Sequence, residues 1–280
     1  MPARNVVVVG ASSGIGEQLA YSYAKGNTLV LLARSAGELD RVAGECLAKG
    51  AAAVHTVPVD IVQLVATREA MAAVSAHVGG QVDVAVLAAG LGSHQYGGTA
   101  WDLSEATLDV YRRTMEVNFF GALNAIALLL PLLDAGGSKR RGQLITLNSV
   151  SGLIGLPARA AYCASKFALA GLTEALRADE AYAHVDVTDV FMVTVSGTKL
   201  REKGVQTDAG GEPTVAATER HGHSSSEIPV ADCVATIVAQ ASARPSRIYV
   251  PSKSRLVATL KHAPVVGSRI EQMVWSRSRL

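Results

Sequence analysis

The chain has 280 residues, of which 49% are hydrophobic, 18% charged and 5% aromatic, a composition that excludes disordered, collagenous and disulfide-framed classes. Its formal net charge of +2 offers no basic surface for nucleic acid, yet the charge is uneven: eight Lys/Arg and one acid from Arg244 onward give that tail +7 and leave the remainder near −5. Cys46, Cys163 and Cys233 lie far apart without metal-ligand spacing, so a reduced, cytoplasmic setting and no metal are expected. No signal peptide is evident, and the apolar run Ala125 to Leu133 contains Pro131 and falls short of the roughly 20 residues of a spanning helix.

Asn5 to Val9 reads as a first strand leading into Gly10-Ala11-Ser12-Ser13-Gly14-Ile15-Gly16 and then the helical run Glu17-Gln18-Leu19-Ala20. Glycines at 10, 14 and 16 permit a tight turn and let a pyrophosphate approach the backbone, where helix-terminal amides favour an anion. The plainer reading is a strand-to-helix connection, but its place after the first strand favours dinucleotide binding. The second strand, Thr28 to Ala33, ends in Arg34-Ser35 with no acid before Glu38. An acid there would hold both ribose hydroxyls of NAD; Arg34 instead offers a fork for a 2′-phosphate with Ser35 in support, so NADP is expected. The alternative is that Arg34 is an ordinary surface arginine.

Further strands are expected at Ala53 to Val59, Val82 to Ala88, Gly142 to Asn148, Asp186 to Met192 and Arg247 to Val250. They are apolar without alternation and are separated by enough chain for crossover helices. This predicts one Rossmann-like, doubly wound α/β domain with a seven-stranded parallel sheet flanked by helices over residues 1–280. The polar stretch from Lys199 reads as a lid loop over residues 199–228, and 251–280 as a basic C-terminal extension. His221 and His223 have the spacing of a metal pair without a third ligand and are read as loop histidines.

Tyr162 and Lys166 stand four residues apart in Ala161-Tyr162-Cys163-Ala164-Ser165-Lys166, thirteen residues after Ser149. Positions four apart share a helix face, so the Lys166 ammonium can favour ionisation of a phenol that otherwise titrates near pH ~10. Cys163 beside the tyrosine is read as a packed small hydrophobe rather than a redox control.

Together the glycine turn, Ser149, Tyr162 and Lys166 resemble the short-chain dehydrogenase/reductase family in its classical form, over residues 5 to about 200. Phe167-Ala168-Leu169 extends the match. The resemblance implies hydride transfer between NADP and a ketone or secondary alcohol. Tyr162 would be the acid/base, Ser149 would stabilise the substrate oxygen, Lys166 would hold the nicotinamide ribose, and Asn118 would be the fourth catalytic residue. It further implies cofactor contacts from Ser12, Ser13, Ile15, Asp60, Ile61, Ala89 and Gly90, with Thr194 and Thr198 near the nicotinamide. Val9, Leu87-Ala88 and Met192-Val193 replace the threonine, the asparagines and the Pro-Gly usual in the family.

The apolar loop Gly152 to Pro157 suits a lipophilic substrate of steroid, retinoid or sphingoid type. The rivals are an acyl-carrier ketoreductase and a catalytically silent NADP-binding regulator. Family resemblance also implies a homodimer or homotetramer paired through the helices carrying Asn118 and Tyr162. The tail, with apolar and basic residues interleaved from Lys253 to Arg279, reads either as a membrane-surface segment or as a helix packed on protein.

Overall fold

The computed structural model describes residues 3–95, 101–136, 140–198, 200, 205–207 and 227–260. In chain order its elements are β1 (Asn5–Val9), α1 (Gly14–Tyr23), β2 (Thr28–Ala33), α2 (Ala36–Ala48), β3 (Ala53–Pro58), α3 (Leu64–Val78), β4 (Val84–Leu87) and β5 (Ser93–Gln95). Then come α4 (Glu105–Met115), a π-helical turn (Glu116–Gly121), α5 (Ala122–Asp134), β6 (Gly142–Ser149), α6 (Ala160–Ala178), β7 (Val185–Met192) and β8 (Val195–Ser196). The last are β9 (Val205–Thr207), β10 (Ile228–Pro229), α7 (Val230–Ala241), β11 (Arg247–Val250) and α8 (Ser254–Leu260).

Seven strands form one sheet in the order β11-β7-β6-β4-β1-β2-β3, with every pairing parallel. Parallel strands require helical crossovers on both faces, which explains why Val6 to Val9 are at most 1% exposed. On one face Leu19, Leu39, Val234 and Ile237 from α1, α2 and α7 build a core. On the other, Met71, Val74, Leu129, Leu133 and Leu169 from α3, α5 and α6 build a second. Strand order reverses between β1 and β4, opening a crevice at their carboxyl ends, where such folds bind ligands.

Three features depart from expectation. The helix over Glu105–Asp134 runs through Pro131 and is 30 residues long, long and apolar enough to cross a membrane by length and composition. It packs on the sheet, with Ala125, Ile126, Leu129 and Leu133 in the core. The polar stretch from Lys199, read as a loop without a core element, contributes the short β9, which pairs in parallel with β5 outside the main sheet. Its base is closed where β8 pairs with β10. The rest of the expected lid, including His221 and His223, and the tail beyond Leu260 lie outside the described residues.

Candidate active site

The glycine turn leaves no room for a side chain at Gly10 or Gly16. Gly10 has φ +87°, and a Cβ there would fall 2.4 Å from the Ala89 nitrogen; on Gly16 it would fall 2.2 Å from the Gly10 carbonyl oxygen. β1, β4 and the start of α1 therefore converge with backbone against backbone. Ser13 stands at the N-cap of α1 without capping it through its side chain, so the hydroxyl leaves the first-turn amides to another acceptor. Thr198 reaches the same place, its Cβ lying 3.5 Å from a Cβ built on Gly14, while its hydroxyl donates to the Val195 carbonyl at 3.2 Å. Thr194 sits at the turn after β7, where its carbonyl accepts from the Ile228 amide at 3.0 Å. Ser12 and Ile15 lie within the turn, both half-buried.

Around this cradle stand the other expected cofactor residues. Arg34 is exposed at the carboxyl end of β2 and has no ion-pair partner among the described residues. Ser35 caps α2 by accepting from the Glu38 amide, and Glu38, the next acid along the chain, pairs with Arg41 at 3.0 Å. Asp60 turns its carboxylate onto the Val62 amide at 3.2 Å. Ile61 is buried, and its carbonyl accepts from Asn124 at 3.0 Å. Ala89 abuts Gly10, and a Cβ on Gly90 would lie 3.8 Å from Lys166 Nζ. All of these residues lie after the carboxyl ends of parallel strands, on one edge of the sheet.

β6 and α6 deliver the remaining groups. Ser149 ends β6, and its hydroxyl accepts from the Ser151 amide at 3.1 Å and donates to the Met192 carbonyl at 3.4 Å. It also lies against the Tyr162 phenol, near enough to ease its ionisation, without a well-formed hydrogen bond. Tyr162 and Lys166 occupy one face of α6, both buried, with Lys166 Nζ 5.8 Å from the Tyr162 ring centroid. Asn118 lies in the π-helical turn, a form of backbone often found at functional sites. Its amide clamps the strand end after β4: it accepts from Leu91 N at 2.7 Å and donates to Leu91 O at 2.9 Å and to Ser165 Oγ at 3.0 Å. Ser165 in turn donates to the Tyr162 carbonyl at 2.8 Å, so Asn118 reaches the tyrosine's helix through one hydroxyl.

The electrostatics differ from the expected simple pair. Burial pushes the Tyr162 phenol above its ordinary value, and what opposes this is the charge of Arg159 and then the Ser149 hydroxyl. The Lys166 ammonium, 5.8 Å from the Tyr162 ring centroid, donates to the Leu147 carbonyl at 2.9 Å. Burial also pushes Lys166 down to about 8, with Asp189 partly offsetting the fall.

A profile of the short chain dehydrogenase family matches residues 4–209. The chain belongs to the short-chain dehydrogenase family. It is 35% identical over 190 residues to human dehydrogenase/reductase SDR family member 7, covering 66% of this chain and 53% of that protein. It is 31% identical over 194 residues to a 3-ketodihydrosphingosine reductase of Dictyostelium discoideum, covering 64% and 56%. The chain thus spans little more than half the length of these curated relatives. In fold it superposes on a Burkholderia phymatum short-chain dehydrogenase/reductase solved with NAD, with a TM-score of 0.75, 22% identity and 94% of each chain covered.

Within this short-chain dehydrogenase, several supporting residues escape a motif reading. Asn148 accepts from the Ser149 amide at 2.8 Å and donates to the Lys166 carbonyl at 3.3 Å, joining β6 to α6 beside the chemistry. A Cβ on Gly152 would press 2.6 Å from Asn148 Oδ1, so the turn after Ser149 closes only on glycine. Asn148 and Ser165 both lie inside quoted motifs, and a polar residue in an apolar strand was the available clue. Arg159, one turn before Tyr162, follows Ala158, whose φ of 56° is rare outside glycine. No sequence pattern marks it.

Proposed function

We propose that this short-chain dehydrogenase is an NADP(H)-dependent oxidoreductase that interconverts a lipophilic ketone and its secondary alcohol, working as a reductase at neutral pH. The observation that carries the reading is the convergence of Ser149, Tyr162 and Lys166 on the carboxyl edge of the sheet, beside the side-chain-free cradle of Gly10, Gly14 and Gly16. Bound nicotinamide dinucleotide would supply the hydride. Tyr162 holds its proton at neutral pH, as a phenol does, and can donate it to the oxygen of a carbonyl being reduced. Ser149 offers a hydroxyl to the same oxygen. Lys166, held by Leu147, presents its remaining N–H groups toward the place of the nicotinamide ribose, next to Gly90. Asn118 and Ser165 keep the Tyr162 turn in register with the strand end after β4.

Choice of NADP rests on Arg34, which has no ion-pair partner among the described residues, and on the engagement of Glu38 by Arg41. A lipophilic substrate is supported by the apolar loop after Ser149, where Ile154 is buried, and by the name of the 3-ketodihydrosphingosine relative. Three buried, unbridged cysteines suit a reducing compartment. Phe120 and Phe167, 44% and 38% exposed on the helices carrying Asn118 and Tyr162, support pairing of copies through those helices. The test is NADPH consumption over a panel of ketones with native protein and Tyr162→Phe. The expected result is a tyrosine-dependent rate that falls by about 10²–10⁴-fold in the variant. Tight NADPH binding with no tyrosine-dependent rate on any ketone would make the protein a silent nucleotide-binding regulator instead.

A further inference from the structure

Asp189 on β7 is a fully buried carboxylate with no part in the proton chemistry assigned above. It lies beneath α6 among polar groups from two elements. The Thr146 hydroxyl donates to it from β6, the Thr173 hydroxyl donates from α6 at 2.8 Å, and Arg177 of α6 pairs with it at 2.9 Å. Both threonines are buried as completely as Asp189, whereas the Arg177 side chain keeps 18% of its surface, so this polar seam runs inward from solvent at Arg177.

At its inner end the seam meets Lys166. Asp189 stands opposite Thr146 in the register of β6 with β7, and the next residue, Leu147, is the one whose carbonyl accepts from Lys166 Nζ at 2.9 Å. Asn148, one further along, donates to the Lys166 carbonyl at 3.3 Å. On α6, Thr173 and Arg177 follow Lys166 by seven and eleven residues, a spacing that keeps all three on the helix face turned to β6 and β7. A buried ammonium with one carbonyl acceptor among the described residues is unfavourable unless an opposite charge lies near it. Asp189 supplies that charge, and it opposes the fall that burial imposes on Lys166. A neutral amide oxygen could accept from the two threonines equally well, so what the carboxylate adds is its charge.

Resting on the carbonyl-reductase reading, in which Lys166 works as a cation, we propose that Asp189 is a positioning residue for the reaction: its carboxylate holds the Lys166 ammonium in the charged form, and Arg177 tempers that influence from the solvent side. Among the described side chains, the other charged or titratable groups on the elements packed here are engaged or lie away from the seam. Around the start of α6 stand Arg159, Tyr162 and Cys163, at the site itself. Glu174 of α6 is exposed and pairs with Arg247 of β11 at 3.5 Å, and Tyr249 of β11 stacks on Phe191. Asp186 of β7 is shared by Arg141 and Arg244, while Arg112 and Arg113 of α4 are exposed and pair with Glu105 and Asp109. Glu116 of the π-helical turn is exposed, and β6 carries no charged residue. Arg177 is the cation in contact with Asp189, so the two form the lever that acts on Lys166.

The test is the pH profile of kcat/KM for NADPH-dependent reduction of methyl decyl ketone by the full chain. The native protein should lose activity as pH rises through about 8, where Lys166 gives up its proton. Asp189→Asn, which keeps the shape of the side chain and an acceptor for the threonines, should move that alkaline limb to lower pH by roughly half a unit or more. Arg177→Gln removes the competing cation and should move the limb to higher pH. Loss of packing would slow the enzyme at every pH without shifting the limb in opposite directions. Denaturant unfolding gives a second reading: the stability gap between each protein and its Lys166→Met derivative should begin to close at lower pH with Asp189→Asn and at higher pH with Arg177→Gln. Limbs that stay in place, or that move the same way in both variants, overturn the role of Asp189 and leave the carbonyl-reductase reading intact. Should Asp189→Asn fail to fold, the sign of the Arg177→Gln shift decides. Absence of Tyr162-dependent turnover of this ketone, or of any other carbonyl compound, removes the underlying reading and the role of Asp189 with it.

Discussion

Lys166 and Asp189 are both buried charges where α6 meets the sheet, 4% and 0% exposed, yet their surroundings differ. Asp189, on β7, accepts from the hydroxyls of Thr146 on β6 and Thr173 on α6, the latter at 2.8 Å, and pairs with Arg177 at 2.9 Å. Lys166 has one acceptor among the described residues, the Leu147 carbonyl. The same contrast holds between the two edges of the sheet. At the amino edge Arg140 pairs with Asp83, and Arg141 and Arg244 share Asp186. At the carboxyl edge Arg34 has no ion-pair partner among the described residues. Charges that find partners inside the fold serve its stability; those left short of partners at the carboxyl edge are the ones that, on the function proposed above, a cofactor and a substrate would engage.

The largest expected effect breaks the satisfied side. Asp189→Ala should destabilise the protein by about 3–5 kcal/mol in denaturant unfolding, because it strands the Arg177 charge and two hydroxyls. Lys166→Met should act in the opposite direction on stability, raising it by up to about 3 kcal/mol at pH 7, while kcat/KM falls by at least about 10²-fold. The pH dependence follows from the lowered pKa. Below about 8 Lys166 is charged in both native and unfolded states, so the burial penalty is present in full. Between about 8 and the ordinary 10.5 the native state has lost its proton and the unfolded state has not, so native stability rises with pH relative to Lys166→Met and the gap closes. Unfolding curves for both proteins at pH 7, 9 and ~10.5 check this; a constant gap would place Lys166 among the satisfied charges.

Arg34→Ala sharpens the contrast at the edge. NADPH affinity measured by fluorescence titration should fall about tenfold, NADH affinity should hold, and unfolding should shift by less than about 0.5 kcal/mol. The smallest effect is expected at the amino edge. Burial raises the Asp186 carboxyl, but hydrogen bonds from Arg141 and Arg244 outweigh it and hold it below the ordinary range. Its contribution is therefore present above the ordinary carboxylate pKa and lost as pH falls through the depressed one. Asp186→Asn should cost below about 1 kcal/mol at pH 7 and nothing in strong acid.

Much of the architecture was legible from the strands. Asn5–Val9, Thr28–Ala33 and Arg247–Val250 stand where their apolar runs place them, because a strand covered on both faces must be apolar throughout. The long helix was less legible: Pro131 marks a stop in sequence but is tolerated in a helix whose partners lie on the sheet. β9 went unread because a three-residue strand in a polar stretch has no periodicity to detect. At the site, spacing brought Tyr162 and Lys166 to one face as expected. Spacing could not reveal that the Arg159 charge also acts on the phenol, because Arg159 lies outside the motif.

The amino-acid sequence by itself determined the order of strands and crossovers, the glycine turn and the chemical types gathered at the carboxyl edge. Those properties depend on local steric freedom and on periodicities of two and 3.6 residues. Only the tertiary structure decided which charges found partners: that Asn118 is consumed in clamping Leu91, that Asp189 has three, and that among the described residues Lys166 has one acceptor and Arg34 no ion-pair partner. Burial and hydrogen-bond satisfaction depend on segments distant in the chain, so no local pattern encodes them.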